Sequence, residues 1–438
     1  CSSRIRNSIS YRNNGKIKVM DDVFYIDVKD GVNISYRQLI EDVKNTSVYN
    51  PYCKEGSYYA VFRNIVISLI IGEEIILLDA DFTDVEVRKL VGDVDIKAAT
   101  HPVVIKNEIH EGNFEEVIFS NRERWRMTLF TSGTTGLPKS VSHSFASITR
   151  QVKKSERHIN DIWGFAFNPT HMAGLQVFFQ ALLNKNSIIR LFGLDTKEII
   201  REIKKYNITN ISATPTFYRL LLPPKDTCES VIRLTSGGEK FDEHTLHQLT
   251  SLFPNAKLTN VYASTEAGTL FASAGNEFVI KEEMKNLVRV ENGELLIHSS
   301  LLGKSSFVDV DDDWYHTGDI IEIVHEIPLT FHFLSRKNEM INVGGYKVNP
   351  NELEGCIREC QGVMDVYVYA KDSKILGKII CCDVVREDEN ITEKMIREQL
   401  RQKLQEFKIP RIFKFVEQLN VTRTGKISRK LWVIKIFW

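Results

Sequence analysis

Short apolar runs alternate with amphipathic stretches through the middle of this chain, and few architectures accommodate that pattern. Lys197–Tyr206 reads as a helix, Ile208–Ser212 as a strand, and Thr216–Leu222 as a helix again. Elements in this order bury their apolar sides against one another in layers, which predicts an α/β domain. Upstream, Tyr36, Leu39, Ile40 and Val43 fall at helical spacing and predict a helix over Ile34–Val43. Ile65–Leu78 reads as a buried helix or strand followed by a strand. Residues 1–32 are polar and carry no clear motif, and residues 44–64 lack a full strand–helix unit.

The pattern changes near Ser335. Asn349, Pro350 and Glu352 mark a helix start as N-cap, N1 and N3 residues. Ile396, Leu400, Leu404 and Phe407 predict a second helix over Thr392–Phe407. Strand-like runs lie at Val366–Tyr369, Ile379–Val385 and Ile412–Val416. The expected fold class is therefore α/β. A large layered N-terminal domain spans residues 1–334, and a small α+β domain spans residues 335–438.

At 438 residues the chain is long enough for two domains with cores of their own. Lysine plus arginine equals aspartate plus glutamate at 57 each, so net charge exerts no general pull towards nucleic acid or anionic membrane. No apolar run reaches the roughly 20 residues of a membrane helix, so no integral membrane segment is expected. The seven cysteines form no Cys-x-x-Cys pair. Cys356 and Cys360 alone do not make a zinc site, and reduced thiols fit a cytoplasmic protein. The chain opens at Cys1 rather than a methionine, which leaves room for an upstream segment.

The strongest local signal is Thr131-Ser132-Gly133-Thr134-Thr135-Gly136-Leu137-Pro138-Lys139-Ser140, directly after the strand-like run Trp125–Phe130. Its glycines allow close backbone approach, its hydroxyls supply donors, and Lys139 supplies charge, as phosphate oxygens require. It is not the G-x-x-x-x-G-K-[ST] loop. Counted from Gly133, the second glycine would stand at 138, where Pro138 has no N–H to offer.

This loop resembles the phosphate-binding signature of the adenylate-forming superfamily, which includes acyl-CoA synthetases, adenylation domains of peptide synthetases and firefly luciferase. Further motifs follow in the family's order. Pro169–Gly174 resembles the segment with His171, Ser236-Gly237-Gly238-Glu239 the adenine loop, and Tyr262-Ala263-Ser264-Thr265-Glu266 the Y-G-x-T-E motif. Gly293-Glu294-Leu295 resembles a short strand motif, Tyr315–Asp319 the Y-x-T-G-D motif, Ser335–Glu354 the hinge and helix, and Thr424-Gly425-Lys426-Ile427 the terminal lysine motif. The resemblance covers residues 34–430 approximately, and one tetrapeptide alone would carry little weight.

The resemblance implies ATP-dependent activation of a small-molecule carboxylic acid to an acyl-adenylate, with pyrophosphate release. Acyl transfer to a thiol follows. Coenzyme A is the expected acceptor, and the alternative is a carrier-protein phosphopantetheine; a noncatalytic nucleotide-binding relative is the rival of another class. ATP, Mg²⁺ and coenzyme A are the implied cofactors. Glu266, beside Thr265, would hold Mg²⁺ against the phosphates. Asp319 would accept the ribose hydroxyls, with Arg336 beside ribose or phosphate. Thr131–Gly136, Lys139, Gly237, Gly238, Glu239, Tyr262 and Ala263 would complete the nucleotide site. Lys426 would reach the α-phosphate and the acid, and His171 would line the acyl pocket. Gly344 and Gly345 would leave room for a pantetheine arm, with Asn338 at the hinge. Each has a plainer reading: a lysine in a glycine turn is otherwise a solvated charge, and a histidine in an apolar segment a packed one. Trp163, Phe165 and Phe167 alternate along a strand and read as core and pocket wall. Ser140, Ala263, Ser335 and Asn338 depart from the residues the family usually places there.

Overall fold

A computed structural model describes residues 10–13, 16–19, 23–105, 108–131, 139–237, 243–304, 310–343, 346–373 and 377–419. Its centre is an eight-stranded sheet. In chain order the strands are β1 (Val23–Asp27), β2 (Val32–Ser35), β3 (Ile162–Phe165), β4 (Ser187–Arg190), β5 (Asn210–Ala213), β6 (Arg233–Gly237), β7 (Lys257–Ser264) and β8 (Gly268–Ser273). Their spatial order is β8-β7-β6-β5-β3-β4-β1-β2. The six inner strands run parallel, and β8 and β2 pair antiparallel at the edges. Helices connect the parallel strands, as crossovers between parallel neighbours require. One is Thr196–Tyr206, which Asp195 and Glu198 cap reciprocally.

The polar opening of the chain hides β1, whose Phe24–Asp27 is buried. Residues 44–64, expected to lack a strand–helix unit, contain the strand Tyr52–Cys53 and the start of a helix, Tyr58–Ile71. That helix is buried along nearly its whole length and has no polar stripe to give a periodic signal. Tyr52–Cys53 belongs to a second sheet with Ile75–Leu77, Arg126–Thr131 and Lys139–Ser144. The helices Tyr58–Ile71 and Met172–Asn184 share one core, where Phe62 and Phe178 stack at 4.7 Å. Trp125 is fully buried there and donates its indole N–H to Ser68 Oγ at 2.9 Å.

A third, antiparallel sheet contains Val288–Glu291, Glu294–His298, Trp314–Glu326, Leu329–Arg336 and Glu277–Val279. The small C-terminal α+β region packs Val363–Ser373, Gly377–Arg386 and Ile412–Phe415 against two helices around a separate core. The helix Pro350–Arg358 starts as expected, with Asn349 accepting the N–H of Asn351. The second helix is shorter than its apolar stripe suggested. It spans Glu393–Arg401, and Leu404 and Phe407 join the core from a turn and a 3₁₀ segment. Arg219, on the helix Pro215–Arg219, ion-pairs with Asp365 at 3.3 Å and so ties this region to the central sheet's helical layer. Among the described residues no helix is long and apolar enough to cross a membrane.

Candidate active site

The inner strands of a parallel sheet end on one side, and ligands of such folds collect beyond those carboxyl ends. Here that side bears Gly237 at the end of β6 and Ala263–Glu266 at and beyond the end of β7. A cavity of about 540 Å³ opens there, lined by Gly237, Ala263, Thr265, Glu266, His171 and Arg336 among others. Gly237 is needed for packing: a Cβ at this position would lie 2.5 Å from Val261 Cγ2 on the neighbouring strand. Ala263 lies at a β-bulge between β7 and β8, where the strand re-aims its side chains.

A second cavity of about 320 Å³ adjoins the first at Ala263 and Arg336, and is lined also by Asn260, Tyr262, Phe278 and Asp319. Asp319 and Arg336 are cross-strand partners in the antiparallel sheet, so their side chains meet by register. Arg336 Nε donates to Asp319 Oδ1 at 3.0 Å, and the Tyr262 phenol donates to Asp319 Oδ2. Burial pushes the Asp319 carboxyl above its ordinary value against the pull of Arg336 and Tyr262. Burial, reinforced by Asp319, keeps the Tyr262 phenol protonated and hence a donor.

Below this pair lies Glu294, 7 % exposed. Its Oε1 accepts the N–H of Gly318 at 2.9 Å and its Oε2 takes Lys337 at 3.3 Å. Burial would raise its pKa, yet the Gly318 N–H and Lys337 prevail and hold the carboxyl below its ordinary value. Gly318 has φ +73°, which favours glycine, and Glu294 thereby fixes the turn that presents Asp319.

Across the first cavity, His171 stands at the N-terminal boundary of the helix Met172–Asn184, its side chain making no capping bond, and sits 3.6 Å from Asp79 Oδ2. Asn168 Nδ2 also donates to that oxygen, at 3.2 Å. Trp163 and Phe167 line the cavity while Phe165 is fully buried, in agreement with the expected division into wall and core. The hairpin Arg126–Thr131/Lys139–Ser144 closes on the Thr131–Lys139 pair. Ser132, Gly133, Thr134, Thr135 and Gly136 of its loop, with Gly238, Glu239, Gly344, Gly345 and Lys426, lie outside the described residues, as do the side chains of Thr131, Lys139 and Asn338.

The structure thus brings Gly237, Ala263, Thr265, Glu266, Arg336 and His171 to one cavity, with Tyr262 and Asp319 in the adjoining one. Sequence reasoning missed Asp79, His143 and the role of Glu294. Asp79 had a signal, an acid just past the buried strand Ile75–Leu77. His143 had none: it is fully buried and hydrogen-bonds the Thr265 carbonyl at 2.8 Å.

Metal fit can be read from the donors. Among the described residues no cluster of three or more His, Cys, Asp or Glu forms a cage. Glu266 lines the cavity with no ion pair among those residues. One carboxylate, with phosphate oxygens and water, is what Mg²⁺ uses at nucleotide sites, so Glu266 fits a magnesium ion that arrives with a nucleotide.

The fold is that of adenylate-forming enzymes. The solved structure of ATP-bound MatB from Rhodopseudomonas palustris matches with TM-score 0.69 at 19% identity, covering 94% of this chain and 95% of that one. The o-succinylbenzoate coenzyme A synthetase of Bacillus subtilis, in complex with ATP and magnesium, matches with TM-score 0.66 at 17% identity over 93% and 96%. The chain belongs to the AMP-binding enzyme family, whose signature matches residues 64–300, with that of the AMP-binding enzyme C-terminal domain at 352–426. Its relatives include ligases of two kinds. The 2-succinylbenzoate–CoA ligase of Staphylococcus epidermidis is 24% identical over 92% of this chain and 93% of its own length. The D-alanine–D-alanyl carrier protein ligase of Staphylococcus aureus is 29% identical over 80% and 77%.

Proposed function

We propose that this chain activates a carboxylic acid with ATP, releasing pyrophosphate, and transfers the acyl group from the acyl-adenylate to the thiol of coenzyme A. The observation that carries the reading is the convergence of Thr265, Glu266, Arg336 and His171 on one cavity beside the Tyr262–Asp319 pair. A carboxylate is a poor electrophile because its leaving group would be oxide. Attack of its oxygen on the α-phosphorus of ATP expels pyrophosphate and leaves an anhydride whose leaving group is AMP. Charge spreads over phosphate oxygens in that step, so catalysis rests on positioning and fixed positive charge.

Asp319 takes the ribose hydroxyls, oriented by Arg336 and Tyr262. The loop 131–136 with Lys139 takes the phosphates, and Gly237, Gly238 and Glu239 border the base. Glu266 would hold the magnesium ion, which supplies charge neutralisation at the phosphates. His171, oriented by Asp79, faces the acyl end of the cavity. Lys426 supplies a cation to the α-phosphate and the acid. Residues 335–438 form a domain that pivots about Asn338, so that Lys426 serves the first half-reaction and Gly344 and Gly345 serve thiol delivery.

Full-length CoA-ligase relatives support coenzyme A as acceptor, and the carrier-protein ligase relative supports a phosphopantetheine thiol as the second reading. Pyrophosphate release with ATP, Mg²⁺ and a panel of acids tests the first half-reaction. The thiol is then tested with coenzyme A against a phosphopantetheinylated carrier protein. No pyrophosphate with any acid would overturn the reading, and transfer to the carrier protein alone would replace the acceptor.

A further inference from the structure

The strands β7 and β8 are joined by a loop of three residues, Thr265, Glu266 and Ala267. Ser264 pairs with Gly268 across its base, and Ser264 Oγ accepts the Ala267 N–H at 3.1 Å. Gly268 has φ +68°, the left-handed conformation that closes a three-residue hairpin loop. A loop this tight leaves its carbonyls outside the strand ladder, and in an exposed hairpin water takes them. Here protein donors take all three. His143 Nε2 donates to the Thr265 carbonyl at 2.8 Å, the Gly303 N–H to that of Glu266 at 2.7 Å, and Arg150 Nη1 to that of Ala267 at 3.4 Å.

The donors come from two segments that are themselves joined. His143 lies in the strand Lys139–Ser144, and Arg150 follows the short helix Phe145–Ile148 that continues from it. Gly303 lies just past the 3₁₀ turn Ser299–Leu301. Ser142 and Lys304 exchange backbone hydrogen bonds, each at 2.8 Å. A Cβ at Gly303 would stand 2.6 Å from Val141 Cγ1 and 2.7 Å from His143 Cε1, so the segments approach as closely as glycine allows. Arg150 closes the arrangement. Its Nη2 donates to the Leu301 carbonyl at 3.0 Å, so one guanidinium bridges the loop and the segment that holds it. Bonds from a charged donor are stronger than neutral ones. None of His143, Arg150 and Gly303 lines the larger cavity, whereas Glu266, in the middle of the held loop, does. These donors therefore act on a ligand there only through the loop.

We propose that Arg150 is a positioning residue: by bridging Ala267 and Leu301 it holds the Glu266 carboxylate where magnesium carried by ATP meets it. The proposal deepens the adenylation reading and rests on the magnesium role given there to Glu266. Its test is ATP affinity by calorimetry, with saturating Mg²⁺ and with EDTA, which needs no turnover. Arg150→Met keeps the aliphatic stem and removes the donors, and Arg150→Lys keeps the charge and one donor group. Arg150→Met is also made together with Glu266→Gln. Magnesium should raise the ATP affinity of the unmodified protein. Arg150→Met should cut that gain about tenfold, the lower end of what losing a ligand-orienting partner costs, with magnesium-free affinity kept within about twofold. Arg150→Lys should restore part of the gain, and in the Glu266→Gln background Arg150→Met should bring no further loss. In turnover, half-maximal pyrophosphate release should need more Mg²⁺ while the KM of the acid stays. Equal weakening with and without Mg²⁺, as a merely structural role would give, or the same loss again in Glu266→Gln, would overturn the proposal. Arg150→Gln carries the same comparison if Arg150→Met does not fold. Loss of the magnesium gain in Glu266→Gln but not in Arg150→Met would overturn the proposal and leave the role of Glu266 standing. The expected calorimetry without pyrophosphate release from any acid would leave the proposal standing and remove the adenylation reading instead.

Discussion

His143 Nε2 lies 2.8 Å from the carbonyl oxygen of Thr265, and this contact ties the hairpin bearing loop 132–138 to the strand end bearing Glu266. A carbonyl only accepts, so the Nε2 carries the proton, and Nδ1 accepts from Ser147 Oγ at 2.9 Å. The imidazole is neutral in the fold because burial pushes its pKa down to about 4.

That histidine makes stability pH-dependent. Its pKa is about 4 folded and about 6.5 unfolded, so unfolding takes up a proton between these values. The contribution is complete above about pH 6.5 and is lost as pH falls towards 4, with a span of about 3 kcal/mol. Gln at this position can donate to Thr265 and does not titrate. Urea midpoints of His143→Gln should vary less between pH 6.5 and 4 than those of the unmodified protein. An unchanged pH dependence would place the titrating group elsewhere.

Glu266→Gln nearly keeps the shape of the side chain and removes its charge. The variant should fold normally, and pyrophosphate release should demand a higher magnesium concentration, with the largest loss when Mg²⁺ is limiting. Activity equal to the unmodified protein across a Mg²⁺ titration would count against the role given to this carboxylate.

Asp319→Ala should weaken ATP and AMP by about 1.5–3 kcal/mol, the range for charge-assisted hydrogen bonds, with the acid less affected. Removing the carboxylate also frees Arg336 and Tyr262 from their shared partner, so Asp319→Asn is the gentler companion. Calorimetry of AMP binding decides: unchanged affinity in both variants moves the ribose site.

Lys426→Ala should slow adenylate formation strongly while sparing thiol transfer from a supplied acyl-adenylate. Gly344→Leu should do the reverse by obstructing the thiol path. Single-turnover rates of each half-reaction, with unfolding curves to verify folding, check the division. Equal slowing of both steps in both folded variants would end the idea of one cleft used in two ways.

The sequence disclosed more of the site than of the frame around it. Thr265, Glu266, Asp319 and Arg336 stand in short motif segments, and the structure brings them to two adjoining cavities. The strand Val23–Asp27 was not legible: it sits among polar neighbours and is buried only because β2 and β4 flank it. The buried run Ile65–Leu78, read as a helix or strand followed by a strand, is the end of the helix Tyr58–Ile71 followed by Ile75–Leu77. What escaped was the start of that helix, because its largely apolar sequence gives no clear periodic signal. Thr392–Phe407 was overextended because an apolar stripe continues through Leu404 and Phe407 after the helix has ended. Asp79 and His143 act through tertiary partners 92 and 122 residues away in the chain, His171 and Thr265, and no local pattern reports such pairings.

Tyr262 belongs to the central sheet, whereas Asp319 and Arg336 belong to the antiparallel one. Their contact is therefore a seam between two separately built sheets, and neither sheet alone contains the three groups. A partly folded chain with either sheet unformed lacks the complete three-residue arrangement. A ligand taken up at this seam, at one hundred times its dissociation constant, would add about 2.7 kcal/mol to the stability of chains in which both sheets are built.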